Sequence, residues 1–250
     1  MPSSSKNIII LDSVDSTNNY AMGLIQKRET TNKIAIFAYE QTEGKGRRGK
    51  QWDSGKGENI MMSVIAQMQW LPVSRQFELS VAVALSCFDL FRKYIFSNLF
   101  IKWPNDIFIN DTKAGGILIE NLIKGKIWQW AVIGMGLNIN QEHFDESIFI
   151  ATSLKKETGK NFEIIKLADA LLELVLKRIE ELKSGNFHKM LEEYNEHLFA
   201  REKWVKLKKG SRVFETEIIA VSSDGELITK DVEKRRFLFD EVEFIGLMKK

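Results

Sequence analysis

The sequence predicts an α+β protein in two unequal parts: strands and helices interleaved over residues 1–200, then a small all-β module over 201–250. Three observations carry this. Short apolar or β-branched runs recur through the first part and read as strands. Two stretches, 75–95 and 163–183, repeat apolar residues at helical spacing. From Trp204 onward the pattern changes to short alternating segments separated by Lys209-Gly210, Asp224-Gly225 and charged turns. Asp-Gly between such segments is a hairpin signal.

Residues 8–11 are a β-branched run and open the chain with a strand. Asp15-Ser16-Thr17-Asn18 is a cluster of N-cap residues, and a short amphipathic helix carrying Tyr20, Ala21, Leu24 and Ile25 starts there. Residues 34–39 form a second strand, which runs into a glycine-rich loop over 40–58 and then a strand over 59–66. Pro72 and Ser74 mark the start of the 75–95 helix, with Phe77, Val81, Leu85 and Phe88 toward a core. Strands over 99–103 and 107–109 flank a Trp-Pro-Asn-Asp turn, and Asn110-Asp111 is the next turn signal. Segments 116–122 and 127–133 pair as a hairpin about Lys124-Gly125, the second ending in Gly134-Met135-Gly136-Leu137-Asn138. Ile164, Leu167, Leu171, Leu174, Val175 and Ile179 set the 163–183 helix, closed by Gly185, and 187–198 is another helix. The β module places strands at 205–207, 213–219, 227–229, 237–239 and 242–245.

Composition narrows the function. The 36 Lys+Arg against 34 Asp+Glu leave a charge of +2, which argues against a dedicated duplex binder. A 44% hydrophobic content supplies a core and excludes wholesale disorder. The single cysteine, Cys87, can form neither an internal disulfide nor a thiolate metal site, which fits a reducing cytoplasm. The most apolar stretch, 79–91, falls short of the roughly 20 residues that span a bilayer, and the N-terminus shows no secretory pattern.

Five of the sixteen glycines fall between 44 and 57, around Gly44-Lys45-Gly46-Arg47-Arg48-Gly49-Lys50-Gln51. This matches G-x-G-x-x-G and most of a phosphate-binding G-x-x-x-x-G-K loop, but both need a helix to open at the glycines. The segment Gln51-Trp52-Asp53-Ser54-Gly55 cannot open one, and Gln51 stands where a magnesium-holding Ser or Thr belongs. An anion-binding loop survives both tests: glycines let backbone N–H groups approach, and arginines grip carboxylate or phosphate with forked donors. The plainer reading is a solvated charged loop.

Three further segments are candidates. Lys102-Trp103-Pro104-Asn105-Asp106 puts a cation, an aromatic, a rigid turn and an acid in five residues, and Asp106 is a candidate magnesium ligand. Lys113 precedes the glycine pair Gly115-Gly116 and can neutralise developing negative charge. Asn138 offers donors and an acceptor to a heterocycle edge. Each of these is also ordinary turn chemistry. His143, His188 and His197 show no ligand spacing, and no Ser-His-Asp or Cys-His pattern is present. Cys87 in the core helix reads as a buried small hydrophobe. Residues 201–212 hold six basic residues against Glu202, either a solvated face or a docking patch for an acidic partner.

In order and spacing, four blocks together resemble the biotin–protein ligases. They are Asp15-Ser16-Thr17-Asn18; Glu40-Gln41-Thr42 with the Gly44–Gly49 loop and Trp52; Lys102 to Asp106; and Lys113-Ala114-Gly115-Gly116 to Glu120 with Gly134 to Asn138. The resemblance covers 15–138. It implies a mixed β-sheet flanked by helices, of the class II aminoacyl-tRNA synthetase/biotin ligase-like type, and a small C-terminal SH3-like β-barrel. It also implies the chemistry: biotin's carboxylate attacks the α-phosphate of ATP, with Mg2+, and a lysine of a biotin carrier domain then takes the biotin from biotinyl-5′-AMP. The implied acceptor is the carrier domain of a biotin-dependent carboxylase or decarboxylase.

By the same resemblance, Arg47, Arg48 and Lys113 are catalytic. Ser16, Thr17, Asn18, Gln41, Gly44, Lys45, Gly46, Gly115 and Gly116 join Arg47 and Lys113 around biotin. Arg47, Arg48, Trp52, Lys102, Asn105, Lys113 and Asn138 take ATP or the adenylate, with Asp106 on the metal. Lys45 stands where familiar members carry Arg, keeping the charge and losing the fork. Only 14 residues precede Asp15, so the expectation is a ligase without repressor function, in the form lacking a DNA-binding domain. The family occurs as monomers and ligand-promoted homodimers. The alternatives are a lipoate/octanoyl–protein ligase of the same superfamily, or a nucleic-acid-binding module using Arg47, Arg48 and 201–212.

Overall fold

The structure is a computed structural model that describes residues 7–30, 32–49, 51–144 and 151–247; the side chains of Arg48 and Leu247 also lie outside the described set. Seven strands form one sheet: β1 (Ile8–Leu11), β2 (Ile34–Ala38), β3 (Ile60–Gln67), β4 (Leu99–Lys102), β5 (Asp106–Ile109), β6 (Thr112–Lys124) and β7 (Ile127–Leu137). The order is β1-β2-β3-β7-β6-β5-β4. β1 runs parallel to β2 and every other neighbour is antiparallel, so the sheet is mixed.

The period of two along each strand decides which helix covers which face. On one face Ile36, Ile65 and Val132 lie under Ala21 and Ile25 of α1 (Thr17–Lys27). On the other, Ala35, Phe37, Val64 and Ile133 join the main core with α2 (Gln76–Arg92) and α4 (Ile164–Lys183). Strand β3 is therefore buried on both faces, which is why it reads as an unbroken apolar run. The remaining helices are α3 (Leu154–Thr158) and α5 (Phe187–Glu196). Arg178 of α4 ties α2 to α5: it donates to Asp89 at 2.7 and 3.0 Å and to Glu193 at 2.7 and 2.8 Å.

A second sheet closes the chain, with β8 (Trp204–Lys209), β9 (Arg212–Val221), β10 (Leu227–Lys230), β11 (Lys234–Phe237) and β12 (Glu243–Leu247) in the order β11-β10-β9-β8-β12, all antiparallel. Gly225, at φ +87°, makes the β9–β10 turn that Asp224-Gly225 foretold. Trp103 Nε1 donates to its carbonyl at 3.0 Å, joining the two sheets. Asn195 clamps the end of β9, donating to Val221 O at 3.0 Å and accepting from Val221 N at 2.7 Å. The basic stretch 201–212 is laced with ion pairs, Lys209–Glu241 at 2.8 Å and Lys206–Glu215 at 3.7 Å among them.

Several boundaries differ from the sequence reading. β7 does not stop at Gly134 but continues to Leu137, and β6 starts at Thr112, so both glycine clusters lie inside strands. β11 is Lys234–Phe237, which leaves Leu238 and Phe239 beyond the strand. Helix α3 has no counterpart in the sequence reading, because five residues are too few to show a period. Ser184 is the C-cap of α4, with Gly185 at φ +85° just after it.

Candidate active site

The α1 face of the sheet changes character along its strands. Under α1, Ile65 pairs across with Val132. Two residues on, Ser63 faces Gly134, and two further Met61 faces Gly136. β6 sets Leu118 beside Gly134 and Gly116 beside Gly136. The helix covers the first row and, through Thr17 and Asn18, the second; beyond its N-terminus the sheet floors a cavity of about 1500 Å³. Its remaining walls are the 44–52 loop, the Lys102–Asp106 turn and the C-terminal sheet, through Phe239 and Phe244.

At the helix end the wall is a neutral polar network. Ser16 holds the N-cap position of α1, yet its side chain makes no cap hydrogen bond. Gln41 Oε1 accepts from Thr17 N at 2.8 Å and Thr17 Oγ1 at 3.0 Å. Ser63 Oγ, fully buried, lies 2.7 Å from Thr17 Oγ1 and 2.6 Å from Asn18 Oδ1, so its one proton serves one of them at a time. Asn18 Nδ2 donates to Glu120 Oε2 at 2.6 Å. A side chain at Gly134 would collide with Asn18 Oδ1, so the glycine is what lets that amide sit on the sheet.

The loop is closed at its base by a Lys45–Gln51 bridge and by Trp52 N donating to Gly44 O at 2.9 Å. Lys45 Nζ donates to Asn19 Oδ1 at 2.6 Å. Asn19 in turn donates to Asp15 at 2.5 Å, and that bond holds the Asp15 carboxyl below its ordinary pKa. Arg47 starts a 3-10 turn, Arg47–Gly49. Its Nη1 donates to Asn105 Oδ1 at 3.2 Å, its Nη2 lies 4.0 Å from Asp240, and its guanidinium sits 4.4 Å from the Phe239 ring centroid. Asn105 is fixed by donating to Ile117 O at 2.6 Å.

Trp52 lies on bare strand: a Cβ on Gly136 would stand 2.5 to 2.9 Å from its ring atoms, and one on Gly116 3.3 Å from it. Only glycine allows an indole so close to the sheet. Its Nε1 is buried and makes no hydrogen bond. Lys113 Nζ stands 5.7 Å from the same ring and 2.8 Å from Asp106 Oδ1. The contact is an ion pair, and the buried Asp106 Oδ1 has no hydrogen-bond partner. Lys102 Nζ is boxed by Phe244 at 4.4 Å, Phe108 at 4.5 Å and Phe199 at 5.8 Å. Burial lowers its pKa, with Asp106 opposing the shift.

The cavity thus gathers Ser16, Thr17, Asn18, Gln41, Lys45, Gly46, Arg47, Trp52, Lys102, Asn105, Asp106, Lys113 and Gly116 on one surface. Gly44 and Gly115 stand behind it. Gly44 sits against Trp52 O and Gly115 against Leu137. Asn138 is buried, its amide donating to Thr152 O at 3.0 Å and Lys113 O at 3.4 Å. It braces the Lys113 strand instead of facing the cavity. The Arg48 side chain lies outside the described residues. Sequence reasoning missed Ser63, Phe239 and Phe244. Ser63 had a signal, a lone hydroxyl inside an apolar strand run; the two phenylalanines had none, because the site lies far from them in sequence.

A family model described as the biotin/lipoate A/B protein ligase family matches residues 10–138, just over half of the chain. The chain belongs to that family. Among relatives of this ligase-family chain, the bifunctional ligase/repressor BirA of Escherichia coli (strain K12) is 31% identical over 169 residues, 66% of this chain and 51% of that protein. The biotin–[acetyl-CoA-carboxylase] ligase of Paracoccus denitrificans is 32% identical over 132 residues, 52% of this chain and 53% of that one. The match spans about half the length of these relatives. In fold, the chain is similar to the biotin protein ligase from Aquifex aeolicus in complex with biotin and ATP, with TM-score 0.82 and 23% identity over 97% of this chain and 100% of that one. That likeness supports the mixed sheet flanked by helices with a small C-terminal β domain.

Proposed function

We propose that this ligase-family chain activates biotin with ATP, giving biotinyl-5′-AMP and pyrophosphate. It then passes biotin to a lysine of the carrier domain of a biotin-dependent carboxylase or decarboxylase. The observation that carries the reading is one cavity with two chemically different ends. The Thr17–Gln41–Ser63–Asn18 network is neutral and rich in paired donors and acceptors, which suits a ureido ring, with Ser16 and loop backbone at Gly46 beside it. The Arg47, Lys102 and Lys113 end is cationic and suits phosphates and a carboxylate. The Paracoccus denitrificans relative is a biotin ligase and the Aquifex aeolicus structure holds biotin and ATP, which favours biotin over lipoate.

In the first step a biotin carboxylate oxygen bonds to the α-phosphorus and the bond to pyrophosphate breaks. Two anions must approach, and Arg47 and Lys113 screen their repulsion. In the second step the carrier amine bonds to the acyl carbon, the bond to AMP breaks and the amine loses a proton. Trp52, lying over Gly116 and Gly136, gives the adenine a flat apolar wall and keeps water from the adenylate.

Magnesium belongs to this proposal too. Among the described residues no three acidic, His or Cys side chains gather as a cage. The cavity offers Asp106, whose buried Oδ1 has an ion pair but no hydrogen bond. A single carboxylate fits an ion that arrives with phosphates and waters. When bound, magnesium would stabilise the charge on the leaving pyrophosphate.

No helix among the described residues is long and apolar enough to cross a membrane, and we place the chain in the cytoplasm, where the buried Cys87 thiol stays reduced. The deciding experiment measures pyrophosphate release with ATP, magnesium and, separately, biotin, lipoate and octanoate. The expected result is release with biotin alone. Release with biotin no greater than with buffer overturns the reading, and release with lipoate or octanoate moves the chain to the other branch of its family.

A further inference from the structure

Two of the cavity's cations rest on aromatic rings supplied by the C-terminal sheet. Phe239, just past β11, lies 4.4 Å from the Arg47 guanidinium. Phe244, on β12, lies 4.4 Å from Lys102 Nζ. Both distances fall well inside the roughly 6 Å range over which a cation is held by a ring face. Phe239 is 43% exposed, so its position is not dictated by a core, and it lines the cavity beside the loop arginine.

The chemical character of these partners matters. A carboxylate beside an arginine cancels the charge that an anionic substrate needs. A ring face attracts the cation without neutralising its charge. Asp240, beside Phe239, stands 4.0 Å from Arg47 and is 61% exposed, so its claim on the charge is screened by water. Asn105 holds the other side of the guanidinium with a neutral oxygen at 3.2 Å. The arrangement fixes where the guanidinium sits while leaving it a cation.

We propose that Phe239 and Phe244 are positioning residues of the reaction, holding Arg47 and Lys102 by their ring faces at the place where two anionic substrates meet. The inference rests on the function proposed above for the chemistry, but the placement of the loop is testable without it. The C-terminal sheet is then part of the site, and its contribution reaches substrate through another side chain.

The test compares Phe239→Leu with Phe239→Tyr in the full chain. Leucine keeps apolar bulk and loses the ring; tyrosine keeps the ring. In biotin-dependent pyrophosphate release, Phe239→Leu is expected to lower kcat/KM for ATP by about threefold to tenfold with an unchanged melting temperature, and Phe239→Tyr to stay within about twofold of wild type. Phe244→Leu and Phe244→Tyr should follow the same order. In a second assay, with no substrate present, trypsin is expected to cut the 45–50 loop severalfold faster in Phe239→Leu than in wild type or Phe239→Tyr. Phe239→Leu matching wild type in loop cleavage overturns the proposal, as does Phe239→Tyr failing as badly as Phe239→Leu. If wild type releases no pyrophosphate while the cleavage order holds, the functional reading falls and the positioning of the loop stands.

Discussion

At the scale of single residues, the site is made as much by missing side chains as by present ones. Gly134 and Gly136 recur at the strand period on the same face, one making room for Asn18 and the other for Trp52. Gly136→Ala should therefore push Trp52 off the sheet. We expect a loss of about 1–3 kcal/mol by denaturant unfolding, together with a raised KM for ATP and little change in affinity for biotin alone. A variant that melts lower but keeps its KM for ATP would show that Trp52 has no part in nucleotide binding.

Lys102 makes the opposite point, a residue that costs stability where it serves. Its charge is desolvated and its pKa is depressed below the ordinary 10.5. The unfolded chain thus binds more protons than the folded one across the window between the depressed value and 10.5, and stability rises with pH there. Lys102→Met should be more resistant to denaturant than wild type at about pH 7, and the gap should shrink toward about pH 10. Its pyrophosphate release should fall. Equal stability of the two chains at both pH values would refute the role of desolvation at Lys102.

At the scale of elements, legibility tracks burial. Strand β3 and helix α4 announce themselves because one is apolar on both faces and the other carries a clean 3.6-residue stripe. The ends of β6 and β7 are hidden because glycine inside a strand looks like a break. The reason for those glycines, an indole delivered by the 44–52 loop, lies about 80 residues away in sequence and leaves no local trace. The candidate residues from Ser16 to Lys113 are legible as motifs. Asn138 is legible as a polar residue, but its partners Thr152 and Lys113 decide that it braces a strand.

Arg178 tests whether the helical layer matters to the site at all. It bridges Asp89 on α2 and Glu193 on α5 with a side chain only 13% exposed. Arg178→Ala takes the cation from Glu193 and leaves Asp89 with Arg92 alone, and we expect about 3 kcal/mol of destabilisation. Activity per folded molecule should be unchanged, since the helices α2 and α4 cover the far face of the sheet. A fall in kcat for the folded fraction would mean that the helical layer transmits to the cavity.

At the scale of the whole molecule, the two sheets share one cavity, and we propose the boundary between the two units near residue 200. Trp103 and Asn195 fasten the second sheet through Gly225 and Val221. The near balance of the whole chain, +2, holds along the cavity wall too, where Lys45, Arg47, Lys102 and Lys113 are matched by Asp53, Asp106, Asp111 and Glu243.

The cavity wall begins at Ser16 and ends at Gly246. A polypeptide emerges from the ribosome N-terminal end first, so the cationic loop and the large sheet are complete long before Phe239 and Phe244 exist. A chain halted before residue 239 would carry Arg47 and Lys102 without the rings proposed to hold them. On the proposed function, competence would then arrive only once β12 is made.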